Sequence, residues 1–163
     1  MSTSHLRNLF GLALALSLAA CSGRSEVEAQ LGGNGDSPIC KLFTPQEIGR
    51  ALGNTVEKGH VSGPLGSACS WPIAGQDRSV MIQVVPRDYW EDGTNQPGGE
   101  PLEGIGELAF VGPWLDDQRA GALTLNGALY VMTPSKQASV ALLRDLVARA
   151  RESLPQETTE AGQ

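Results

Sequence analysis

The segment Phe43-Thr44-Pro45-Gln46-Glu47-Ile48 gathers nearly every helix-start signal into six consecutive residues. Thr44 is placed to accept from the free backbone N–H groups of the first turn, and Pro45 stands where a missing N–H costs nothing. Glu47, three residues beyond Thr44, closes a capping box. Phe43 and Ile48 flank the cap as a hydrophobic staple. A left-handed stop is easy at Gly53-Asn54, so the helix runs from about Pro45 to Leu52. So short a helix is unstable alone and has to lie on a sheet.

That sheet is written in pieces along the rest of the chain. Val80, Ile82 and Val84 alternate with Met81, Gln83 and Val85, the period of two of a largely buried strand. Ala68 to Ile73 precedes it across Ala74-Gly75-Gln76-Asp77, which predicts a hairpin. Ala122–Leu125 and Ala128–Thr133 flank Asn126-Gly127, whose residues both tolerate positive φ and so favour a tight hairpin turn. Glu107–Val111 reads as one more strand and Thr55–Val61, which contains Gly59, as another. A last helix from about Lys136 to Leu154 places Val140, Leu143, Leu146, Val147, Ala150 and Leu154 near one face, and Pro155 ends it. The expected class is α+β: an antiparallel sheet of five to six strands with a short N-terminal and a longer C-terminal helix packed on one face. The globular domain is expected over residues 39–155 and a frayed tail over 156–163.

The first residues carry an address. Arg7 precedes an unbroken small and aliphatic run from Gly11 to Ala20 that ends at Cys21. A ten-residue run rises about 15 Å as a helix, half of the roughly 30 Å hydrocarbon core, so it suits a signal peptide over residues 1–20 and not a membrane span. Leu18-Ala19-Ala20-Cys21 resembles the lipobox of bacterial lipoproteins. The resemblance implies diacylglycerol on the Cys21 sulfur, cleavage before it and acylation of the new amino group. One acyl chain holds a protein marginally and two or more hold it stably, so the expected partner is a membrane, engaged through the lipid. Ser22, in place of an aspartate, implies the outer membrane where the source has one and the outer face of the plasma membrane where it does not.

Residues 21–38 read as the lipidated cysteine and a flexible tether, with Gly and Ser frequent and bulky apolar residues few; such a segment reaches about 20–25 Å. The chain has 12 basic and 18 acidic residues, a net charge of −6; losing residues 1–20 removes Arg7 and no acid, which gives −7. A nucleic-acid partner is not expected, because phosphate neutralisation needs clustered Lys and Arg.

With Cys21 assigned to lipid, Cys40 and Cys69 remain, an even pair in an oxidising compartment and the natural partners of a disulfide. A redox or metal role would require Cys-x-x-Cys spacing or accompanying histidines, and neither is present. The segment around Cys40-Lys41-Leu42-Phe43-Thr44-Pro45, Leu52-Gly53, the second cysteine in Ala68-Cys69-Ser70-Trp71, and Gly104-Ile105-Gly106-Glu107-Leu108-Ala109 leading into a strand together resemble a group of small secreted bacterial lipoproteins best known in actinobacteria. The resemblance spans residues 39–154. It implies an envelope binding or sensor-like domain and brings no catalytic residue with it.

No catalytic equipment is legible in the remaining residues. His60 is the one histidine beyond the leader and has no carboxylate positioned with it; no serine elbow, His-Glu-x-x-His or phosphate-binding glycine loop occurs. No cofactor, metal or enzymatic activity is expected. Asp92 with Asn95, and Asp116 with Asp117, match no calcium loop. The long connection Glu91–Gly106 is flanked by Tyr89 and Trp90 before it and by Phe110 and Trp114 after it. These four rings either line a groove for an apolar or glycan ligand, or cover a sheet edge as ordinary core, the commoner use of such residues. The expected function is therefore a lipid-anchored, non-catalytic binding domain for an envelope protein partner or a small ligand. An accessory or inhibitor lipoprotein of an envelope enzyme, or a structural envelope component, is the alternative.

Overall fold

A computed structural model of the chain describes residues 37–64 and 67–153. The expected leader, Cys21, the tether up to Asp36, Leu154 and Pro155, and the tail 156–163 lie outside the described residues. In chain order the elements are α1 (Pro38–Lys41), α2 (Pro45–Leu52), β1 (His60–Ser62), β2 (Ala68–Pro72), β3 (Ser79–Val85), β4 (Glu100–Pro101), β5 (Leu108–Trp114), β6 (Asp117–Thr124), β7 (Gly127–Thr133) and α3 (Lys136–Ser153). Single 3₁₀ turns stand at Arg87–Tyr89 and Gly93–Asn95. No described helix is long and apolar enough to cross a membrane.

The seven strands form one antiparallel sheet in the order β1-β2-β3-β7-β6-β5-β4. The α+β class stands, but the strand count is seven and not five to six. The added strand, β4, lies inside the Glu91–Gly106 connection, where Glu100 and Pro101 pair with Val111 and Phe110. A two-residue edge strand containing proline has no periodicity to read. The expected Thr55–Val61 strand reduces to β1 and an isolated bridge between Val56 and Ile73. At the last hairpin Thr124 pairs with Gly127, so Leu125 and Asn126 form the turn, one residue earlier than Asn126-Gly127 predicts. The folded part also begins earlier than residue 39: Ser37 accepts from the Ile39 N–H at 3.3 Å and caps α1, which Pro38 opens.

Strand alternation sends two sets of side chains to opposite faces. Cys69, Trp71, Val80, Ile82, Val111, Ala120, Leu129 and Val131 face the helices and join Ile48 of α2 and Leu142, Leu143, Leu146 and Val147 of α3 in the main core. The start of α2 is built as its sequence demands. Thr44 Oγ1 accepts from the Glu47 N–H, the Glu47 carboxylate accepts from the Thr44 N–H at 2.7 Å, and Gly53 is left-handed at φ 73°. Arg149 of α3 lies over the Phe43 ring at 4.2 Å, donates to the Leu42 carbonyl and reaches Glu47 Oε1 at 2.8 Å. The cap is thereby tied to the far end of the chain. Cys40 and Cys69 are joined in a disulfide, Cα to Cα 5.2 Å, which fastens α1 to β2.

Candidate functional site

The face opposite the helices is covered by chain rather than by helix. β3 ends in the middle of the sheet and β4 lies at its edge, so the connection between them has to pass β7, β6 and β5. With α2 and α3 on one face, it passes over the other. The connection is therefore not one open loop: it holds both 3₁₀ turns and leads into β4.

Polar and ring contacts hold it there. Arg87 donates through both terminal nitrogens to Glu107 at 2.8 and 3.0 Å and also to the Thr124 carbonyl; this guanidinium holds the Glu107 carboxyl below its ordinary value. The Tyr130 hydroxyl accepts from the Glu91 N–H at 2.7 Å and donates to the Tyr89 carbonyl at 3.1 Å. Burial of that phenol raises its pKa above the usual value, against the opposing pull of the Glu91 N–H and Arg119. Gly93 rests against Phe110, where a Cβ would come within 2.1 Å of a ring carbon. The sheet beneath is relieved in the same way at Gly121, whose Cβ would meet Phe110 at 2.6 Å and Tyr130 at 2.9 Å. Both glycines exist to let rings approach backbone.

This second face carries its own buried cluster of Phe110, Leu123, Ala128, Tyr130 and Met132, with Met81, Val85, Trp90 and Trp114 packed against it. Trp90 meets Phe110 edge-on at 5.6 Å and stacks on Tyr130 at 5.9 Å. At the centre is Arg119, only 6% exposed. Its guanidinium lies over Trp114 at 3.9 Å and within 5.4 Å of both Phe110 and Tyr130. Arg119 Nη1 donates to Glu91 Oε2 at 2.8 Å, whereas Nη2 is buried and has no hydrogen-bond partner among the described residues.

Of the four rings singled out in the sequence, the structure brings Trp90, Phe110 and Trp114 onto this one face. Tyr89 stands apart as an exposed residue that contributes its carbonyl. Phe110 is fully enclosed; Trp90 and Trp114 are half-buried. Phe110 is thus core on this face, and Trp90 and Trp114 lie partly exposed beside it. Sequence reasoning missed Tyr130 and Arg119. Their signal was strand parity: Tyr130 and Met132 alternate with the helix-facing Leu129 and Val131, and Arg119 alternates with Ala120. The acidic pairs have structural work. Asp92 accepts from Thr94 N at 2.9 Å and Thr94 Oγ1 at 2.7 Å, and Arg78 binds the Asp116 carbonyl at 2.7 Å and the Asp117 carboxylate. His60 is exposed on the edge strand β1, and no group of three or more metal-ligating side chains forms among the described residues. No family model, curated protein or solved structure matches the chain.

Proposed function

We propose that this chain is a lipid-anchored, non-catalytic binding domain of a cell envelope. The observation that carries the reading is the gathering of Trp90, Phe110, Trp114 and Tyr130, four of the eight aromatic residues in the chain, around one buried arginine on the sheet face that the helices leave free. Half-buried rings seated on a rigid sheet offer contact area at low entropic cost, and a convergent polar group among them is what gives such a surface orientation and selectivity. The address comes from the sequence, where the apolar run Gly11–Ala20 ends in Leu18-Ala19-Ala20-Cys21 and lipid on Cys21 is the attachment.

Two experiments test the two halves. Cys21→Ser is expected to move the protein from the membrane to the soluble fraction, and membrane association that survives a high-salt wash in this variant overturns lipid anchoring. Affinity capture from solubilised envelope with the native chain and with Trp114→Ala tests the face. A component retained by the native chain and lost by the variant supports binding there; an unchanged set of retained components refutes it.

A further inference from the structure

A buried guanidinium is costly unless its charge and its donors are met. Arg119 is met unevenly. Its side chain is 7% exposed, yet its one ion-pair partner among the described residues, Glu91, is 64% exposed and engages a single nitrogen. The planar fork of arginine is built to bind a carboxylate through two parallel N–H bonds, and here the second arm is orphaned inside an aromatic box. Ring faces at 3.9 and 5.4 Å offset part of the desolvation but accept no hydrogen bond. A buried donor left unmet calls for an explanation, and a second acceptor supplied by a ligand is one.

We propose that Arg119 is the anchor of a carboxylate-binding site, and that Glu91 stands in the free protein where the carboxylate of a ligand would sit. The ligand class follows from the walls: a monocarboxylate carried on an aromatic or other apolar stem. Its carboxylate takes both Nη1 and Nη2, and its stem lies against Trp90 and Trp114. Entry is from the solvent side that Glu91 occupies, since this side chain is 64% exposed and holds Nη1. The inference rests on the binding-domain reading above and names what that face binds.

The test uses the full chain, followed by tryptophan fluorescence during titration with 3-phenylpropionate and with its neutral isostere 3-phenylpropanamide. Glu91→Ala is expected to bind the acid at least tenfold more tightly than the native chain and not to bind the amide. Asp88→Ala removes the same charge from the same connection without touching Arg119, and is expected to change affinity less than twofold. Arg119→Met is expected to abolish acid binding; Arg119→Lys, which keeps the charge and loses the fork, is expected to weaken it at least tenfold with the thermal transition retained. The proposal is overturned if Glu91→Ala binds no more tightly than the native chain, if Asp88→Ala tightens binding equally, or if acid and amide bind alike. A parallel titration with N-acetyl-Gly-Gly-Phe separates a chain terminus from a free organic acid as the source of the carboxylate, by which of the two binds more tightly. Failure of these titrations while Trp114→Ala still loses a captured component removes the carboxylate and leaves the binding face standing.

Discussion

Glu47 does two jobs with one carboxylate. Oε2 closes the capping box on the Thr44 N–H and Oε1 receives Arg149 from the last helix. The Arg149 bond, then the Thr44 N–H, hold its pKa down at about 2 from an ordinary 4.5. A carboxyl depressed in this way contributes stability that is whole above about pH 4.5 and is lost as pH falls toward 2, because the unfolded chain takes up the proton first. Glu47→Gln is therefore expected to flatten the acid limb of the melting temperature between pH 4.5 and 2, and thermal melts across that window check it. Thr44→Ala removes the other half of the box and is expected to cost about 1 kcal/mol in a urea titration. Both residues were legible in the sequence because a cap is a local object; Arg149, 102 residues from Glu47, was not.

The connection from β3 to β4 shows the limit of local reading at the next level up. Its glycines and prolines mark it as irregular, and irregular it is, but its path across β7, β6 and β5 follows from strand order alone. What pins it is contact, above all Gly93 on Phe110. Gly93→Ala is expected to lift the segment, at a cost of roughly 1–3 kcal/mol for an overpacked site. The change should appear as a shift in Trp90 fluorescence and new proteolytic cuts within residues 86–99, with the sheet otherwise intact. β3, with its period of two, and β7, flanked by a hairpin signal, were readable; β4, two residues long and held by pairing with Val111 and Phe110, carried no pattern of its own.

Taken as one body, the domain is a seven-stranded sheet with a deep core on the helix side and a smaller aromatic cluster on the other. The Cys40–Cys69 bridge closes the segment that carries α2 and β1 onto β2, across a sequence separation of 29. In the chain-entropy picture a loop of that size is worth about 3–4 kcal/mol, a large share of the net stability of a small domain. Mass analysis without reductant is expected to find the pair two hydrogens lighter than the dithiol. Reduction should lower the urea midpoint of the native chain, and the Cys40→Ala/Cys69→Ala chain should match the reduced protein.

What the sequence determined by itself was whatever depends on neighbours along the chain: the capped helix over Pro45–Leu52, the long last helix, the alternating strands, and hence the α+β class. Tertiary structure alone decided the order in which strands pair, and with it which face the β3–β4 connection crosses and which side chains meet there. Arg119, Glu91 and Trp114 come together because β6 and β5 are paired and the connection is laid over them. A strand's own residues specify which side chains share a face; its partners are chosen by the packing of the chain as a whole.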